Sequence, residues 1–244
     1  MAVFPKSGTY FSNFLAAYRD ISEQTGTMLE MPSLLHVSEQ SFWGAHYVSG
    51  FFPALLFIQD DVNDLARVAL GDFYIVPAGL HWQFNSISLF LFEGIVAPTG
   101  HYQINDFNTG RNYWTFDHNL LLTWDLTHNN EISVALGVMN NLENPATNYR
   151  SGDELHFDFN LGHYWGNFAL GMAGAYYAQL NSDHIPSGST SIGMAEATSI
   201  GPSILVISHL NNAEIALSLK WLYELDVSGR SRQEYLVARV QVPF

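Results

Sequence analysis

The sequence predicts one closed, all-β, antiparallel up-and-down transmembrane barrel of about twelve strands, with short periplasmic turns and longer extracellular loops. Three observations predict it. Charge is scarce: charged residues make up 13% of the 244, whereas a water-facing surface carries about 25–35%. No stretch approaches the ~20 apolar residues of a membrane-crossing helix, so lipid must be met by strands, whose backbone groups pair when a sheet closes on itself. Finally, polar and apolar residues alternate with period two in segment after segment, and the connections alternate between short and long.

In chain order, strands are expected over residues 9–19, 33–41, 43–58, 72–84 and 88–97. Pro53, Pro77 and later Pro202 lie in or near strands, where a missing N–H calls for a bulge. In the fifth strand the phase is open: Glu93 faces inward if Phe90, Phe92 and Val96 face lipid. Residues 112–126 place Trp114, Phe116, Leu120, Leu122 and Trp124 outside, and Thr115, Asp117, Asn119, Thr123 and Asp125 inside; His118 then falls on the lipid face. Residues 131–140 turn Ile132, Val134, Leu136 and Val138 outward.

Residues 154–164 show the clearest pattern: Leu155, Phe157, Phe159 and Leu161 alternate with Glu154, His156, Asp158 and Asn160. Eleven residues at ~3.3 Å, tilted by about 40°, cross roughly 27 Å, the height of the apolar band of such barrels. Residues 167–179 carry Phe168, Leu170, Met172 and Tyr176 outward and small Ala169, Gly171, Ala173 and Ala175 inward. Strands at 194–209 and 213–225 follow, the second with Leu217, Leu219 and Trp221 outward and Glu214, Ser218, Lys220 and Glu224 inward. The last, 233–244, sets Leu236, Ala238, Val240 and Val242 against Tyr235, Val237, Arg239 and Gln241; Glu234 falls on the lipid face near a loop.

Short turns are expected at 84–87, 127–130, 165–167 and 210–212, rich in Asn and Gly as tight hairpins require. The long connections are 59–70, 98–111, 141–153, 181–193 and 226–232. An even strand count puts both termini on the short-turn, periplasmic side. Residues 9–244 form the barrel; residues 1–8 are either a short plug entering the lumen or a disordered terminus. There is no export signal in residues 1–7, so the chain is expected to be the mature form of a bacterial outer-membrane protein.

The chain has no cysteine, which rules out disulfides and thiolate metal sites, and a net charge of −14, which argues against nucleic-acid binding. Glu154, His156 and Asp158 have metal-ligand chemistry, but same-face neighbours lie about 7 Å apart along a strand. No metal and no cofactor are therefore expected. A barrel-wall lipid hydrolase would need a hydroxyl beside an outward His; His118 and His163 face lipid without one nearby in sequence.

Several patches resemble the outer-membrane transporter family of the meta-pathway of phenol degradation. They are Gly71-Asp72 with Pro77 and Trp82, then Pro98-Thr99-Gly100-His101-Tyr102, and Gly110-Arg111-Asn112-Tyr113-Trp114. Asn144-Pro145-Ala146-Thr147-Asn148-Tyr149-Arg150-Ser151-Gly152 follows, running into Glu154-Leu155-His156-Phe157-Asp158, and then Tyr177, Gln179, Asp183 and Gly201-Pro202. The similarity covers roughly residues 40–244, and its most specific piece is the Asn-Pro-x-Thr-x-Tyr-x-Ser-Gly run. It implies a membrane barrel and passage of small hydrophobic or aromatic compounds.

The expected function is a diffusion channel without chemistry. Its permeation lining is Asp117, Glu154, His156, Asp158, Lys220, Glu224 and Arg239, and a constriction loop carries Tyr149 and Arg150 at its tip. The competing role for the polar lining is structural, the groups bonding one another to fix the barrel. The expected partners are outer-membrane lipid, lipopolysaccharide, small hydrophobic solutes, and the barrel assembly machinery through Phe244. The acidic run Gln59–Asp64 could bridge to lipopolysaccharide through divalent cations, and Arg150 could contact its phosphates. A structural or surface-interaction barrel is the alternative.

Overall fold

The computed structural model describes residues 6–20, 25–127, 129–186, 194–210 and 213–243. It holds fourteen strands: β1 (Gly8–Asp20), β2 (Thr25–Phe42), β3 (Ala45–Phe52), β4 (Leu55–Asp60), β5 (Leu65–Leu70), β6 (Phe73–Phe84), β7 (Ile87–Ala97), β8 (Thr115–Thr127), β9 (Asn130–Asn141), β10 (Glu154–Trp165), β11 (Phe168–Gln179), β12 (Glu196–Leu210), β13 (Ala213–Ser228) and β14 (Gln233–Pro243). All but β4 and β5 make a closed wall of twelve antiparallel strands. Consecutive strands are hydrogen-bonded neighbours, and β14 pairs back onto β1, from Tyr10 opposite Pro243 to Asp20 opposite Gln233. Closure leaves no open edge in the twelve-strand wall itself.

The alternation read from the sequence sets the two faces. Leu136, Leu170, Leu217 and Leu236 stand outward, each more than 40% accessible in the absence of lipid. Their inward neighbours Ser133, Ala169, Ala173 and Glu224 are buried. Aromatics gather at the short-turn end: Trp43, Phe84, Trp124, Trp165 and Phe168 are all exposed there. Trp43 and Gly44 both take positive φ, as a two-residue hairpin turn requires.

Two expectations need correcting, and one phase left open by the sequence is set. First, β2 starts at Thr25, not Ser33: Gly26, Glu30 and Pro32 blur the alternation, yet this stretch pairs with β1 on one side and β4 on the other. Second, residues 59–70 are not a loop. Paired to β2 in the same register as β3, β4 continues that strand past a break at Pro53–Ala54, and β5 leads into β6 past Gly71–Asp72. The acidic run builds the turn of this hairpin: Asp60 accepts the N–H groups of Val62 and Asn63 at 3.0 and 3.1 Å, and Asp64 takes φ 52. Third, Glu93 faces lipid while Phe90 and Phe92 face the lumen. Both faces of β7 are apolar, so period alone could not set its phase; contact of Phe90 with Val37 and Val48 inside the barrel does.

Pro77 sits in the bulge where the β6–β7 register shifts between Ile75 and Ala78. Residues 1–5 and Phe244 lie outside the described residues, and with them most of the N-terminal segment and the assembly contact.

Residues 98–111 fold onto the side of β5 that has no strand neighbour. The N–H of His101 and the hydroxyl of Thr109 both donate to the Leu70 carbonyl, and Asp72 accepts the N–H groups of Gly100 and Arg111. Arg67 clamps Asp106 bidentately at 2.8 and 2.9 Å, with His101 Nε2 at 3.0 Å. His101, then Arg67 and the Phe107 N–H, hold the Asp106 carboxyl well below the usual carboxylate range. A depressed carboxylate contributes fully above its unfolded value of about 3.9 and loses that contribution as pH falls through its lower folded value. Asp106→Asn should therefore loosen this segment at neutral pH as strong acid loosens the wild type. Amide exchange should rise in 101–110 but not in β7; unchanged exchange in 101–110 would show the clamp to be idle.

Candidate functional site

The inward faces form three levels. At the extracellular end, Glu224 is fully buried. It takes both nitrogens of Arg230 at 2.5 and 3.0 Å, the Gln233 N–H at 2.7 Å and the Tyr235 hydroxyl at 3.0 Å. Arg230 in turn lies over the Tyr177 ring at 5.9 Å. The loop 142–153 is pinned at the same end. Tyr149 donates to Asp183 at 2.7 Å, and burial together with that carboxylate pushes its phenol up to about 12. Arg150 reaches the Asn141 carbonyl at 2.9 Å, sits 3.5 Å from Asp153 and bridges His184 through its backbone. Glu154 accepts the side-chain amide of Asn141 at 2.9 Å.

Just below this cap, three strands converge on Asp117 in β8. Tyr74 of β6 donates to it at 2.6 Å and His156 of β10 lies 2.9 Å away. Neither belongs to an adjacent strand; each side chain crosses one. The crossings are made at glycines. A Cβ on Gly94 of β7 would stand 1.9 Å from the Tyr74 hydroxyl, and one on Gly137 of β9 would stand 2.1 Å from His156 Nε2.

At mid-height lies a lumenal cavity of about 200 Å³, lined among others by Phe14, Leu121, Thr123, Ser133, Asp158, Asn160, Ser218, Lys220, Val237 and Arg239. The Arg239 guanidinium lies 5.1 Å from the centre of the Phe14 ring. Aromatic rings continue round the wall: Phe14 to Phe52 at 6.3 Å, Phe52 to Tyr74 at 5.8 Å, and Tyr18 to Tyr235 at 5.8 Å. Nearer the periplasm the lumen divides. One side is apolar, with Phe90 and Phe92 stacked at 4.7 Å beside Leu35, Val37, Val48 and Leu121. The other is polar, with Glu131 accepting Tyr164 and Ser133 at 2.6 Å each. A vestibule of about 630 Å³ opens there, lined by Asn85, Asp125, Asn130, Glu131 and Tyr164.

Of the residues picked from the sequence, Asp117 and His156 bond one another. Glu154 and Glu224 are bound in the cap, and Asp158, Lys220 and Arg239 share the cavity. The polar groups thus separate into bonded pairs and cavity-lining groups. Alternation does not mark Phe14, Tyr74, Phe90 and Phe92 as lumen residues, because an inward aromatic has the same period as an outward one; Arg230 lies in the 226–232 connection, whose contacts no period predicts.

On the outer wall, Glu93 lies 2.5 Å from His118 Nδ1, and His118 Nε2 is 3.0 Å from Asn140 Oδ1. The pair accounts for the misplaced His118: two polar side chains on a lipid face bond each other, while Glu93 Oε1 keeps no partner. His163 is held by Asn130 at 2.7 Å and packs on Trp165.

A family model described as "Putative MetA-pathway of phenol degradation" matches residues 22–240. No curated protein matches the chain significantly. Among solved structures, an outer-membrane channel from Pseudomonas putida F1 superposes with a TM-score of 0.83 at 16% identity, covering 99% of this chain and 97% of that one. The translocator domain of the autotransporter NalP from Neisseria meningitidis gives 0.54 at 9% identity, covering 99% and 90%. A mutant of the monoaromatic hydrocarbon channel TodX gives 0.51 at 11%, covering 98% and 91%. At these identities the likeness is one of fold, the outer-membrane barrel.

Proposed function

The chain belongs to the family whose model it matches over residues 22–240, and from that membership we propose that it is a bacterial outer-membrane channel. In this reading it passes small hydrophobic and aromatic compounds passively. The observation that carries the proposal is the composition of the lumen: rings of Phe14, Phe52, Tyr74, Phe90 and Phe92 share it with hydrogen-bonding groups around a mid-height cavity. A wholly polar lumen would exclude apolar solutes, and a wholly apolar one would have no water for them to displace. The barrel size agrees: eight strands are filled by side chains and sixteen leave an open aqueous channel, so twelve suit a narrow path. TodX, a monoaromatic hydrocarbon channel, has a similar fold.

The permeation lining in this reading is Glu154, His156, Asp158, Lys220 and Arg239, with the buried Asp117 and Glu224 holding wall and cap in place behind it and the loop of Tyr149 and Arg150 as the extracellular restriction. The bilayer is the partner of the outward Leu and Trp residues. No chemistry is assigned in this reading: Glu93 and Asn140 take both ring nitrogens of the outward His118, and Asn130 takes Nδ1 of His163.

The test is reconstitution of the full chain in planar bilayers and liposomes. A small ohmic current that phenol reduces, and faster phenol entry into liposomes, are the expected results. A barrel that folds yet neither conducts nor speeds phenol entry would leave only a structural role.

A further inference from the structure

We propose that the mid-lumen cavity is a binding station for an aromatic monocarboxylate, with Arg239 and Lys220 facing the carboxylate and Phe14 facing the ring; the proposal rests on the channel reading above and names a substrate class for it.

Two cations and one carboxylate line this cavity, and no ion pair joins them. Neither Arg239 nor Lys220 has a carboxylate within 4.0 Å or a hydrogen bond among the described residues, whereas Arg67, Arg150 and Arg230 each pair with an acid. Arg239 Nε is buried with no partner, and the ring of Phe14 is its one specific contact. A buried charge is costly unless paired, and ionisable groups held unpaired at membrane depth mark solute pathways. The third ionisable group on the cavity, Asp158, also makes no hydrogen bond or ion pair to a described residue. Two positive charges against one negative leave the cavity at +1, so one monoanion neutralises it.

The remaining lining fits an aryl group. Phe14, Leu121 and Val237 give apolar walls, and Thr123, Ser133, Asn160 and Ser218 offer hydrogen bonds at the margins. Asn160 Oδ1 is buried and unpartnered against Gly171 of the wall. An apolar cavity of about 150 Å³ holds benzene, so about 200 Å³ has room for a ring bearing a carboxylate. Guanidinium binds carboxylate through parallel hydrogen bonds and is itself held by an aromatic face, which assigns Arg239 and Phe14 complementary roles.

The test is calorimetric titration of the full chain, folded in detergent, with benzoate, benzyl alcohol and benzylamine. Benzoate should bind saturably and at least tenfold tighter than benzyl alcohol. Arg239→Gln and Lys220→Gln should each weaken benzoate at least tenfold more than they weaken benzyl alcohol. Heat-modifiable gel mobility reports folding; if Arg239→Gln fails to fold, Lys220→Gln and Phe14→Leu carry the test. Benzoate no tighter than benzyl alcohol, benzylamine the tightest, or benzoate indifferent to Lys220→Gln would each overturn the station. Liposome flux separates the two claims. Benzyl alcohol entry without benzoate preference refutes the station and keeps the channel; benzoate binding without flux of any aromatic refutes the channel and keeps the station.

Discussion

Glu224→Ala should destabilise the folded barrel by about 3–5 kcal/mol, the cost of breaking a buried pair by removing one partner. Glu224 is fully buried and serves four donors from three residues: two nitrogens of Arg230, the Gln233 N–H and the Tyr235 hydroxyl. It ties the β13–β14 connection to the wall next to the seam where β14 meets β1. Alanine leaves the Arg230 guanidinium facing Tyr177 without its counter-charge and strands a backbone donor. Glu224→Gln keeps shape and acceptor but loses the charge, so it should fall between. Urea unfolding of the refolded chain, followed by gel mobility, measures the order. Equal stability of wild type and Glu224→Ala would mean that this network is ornamental.

The second large effect concerns glycines. Gly94→Ala and Gly137→Ala should each push a side chain off Asp117, because the added carbon lies 1.9 Å from the Tyr74 hydroxyl or 2.1 Å from His156 Nε2. Asp117 is 3% exposed, so a lost donor is poorly replaced by water. Hydrogen bonds to charged groups are worth about 1.5–3 kcal/mol, and each variant should lose an amount of that order. Pairing Gly94→Ala with Tyr74→Ala tests the mechanism: the added carbon meets the Tyr74 ring at 2.4 Å as well as its hydroxyl, so once the whole ring is gone the alanine should add little. Full additivity of the two changes would contradict the crossing geometry.

Those crossings also show where the sequence ceases to be legible. Alternation alone placed Leu155, Leu217 and Val240 outward and Glu154, Lys220 and Arg239 inward, since one slip of register would reverse every side chain. It left β7 open, where Ile87, Leu89 and Leu91 on one face and Phe90 and Phe92 on the other are equally apolar, and with it the side on which Glu93 stands. Nothing at Gly137 announces that a histidine from the next strand passes over it. The partition of the inward polar residues into bonded pairs and cavity-lining cations is likewise a matter of which strands are neighbours, two or three ladders away. The β4–β5 hairpin was hidden because Asp60 to Asp64 looks like solvated loop, whereas Asp60 spends its carboxylate on its own turn.

The claim on which the account turns is that solute passes through the lumen. The natural absence of cysteine allows a single thiol to be placed at will. Ser218→Cys lines the mid-height cavity, and Leu217→Cys, one residue away, points to lipid. After modification with a small methanethiosulfonate reagent, phenol entry into liposomes should fall at least tenfold for Ser218→Cys and stay unchanged for Leu217→Cys. Entry that survives modification at residue 218, or falls equally at both positions, would contradict a route through the barrel.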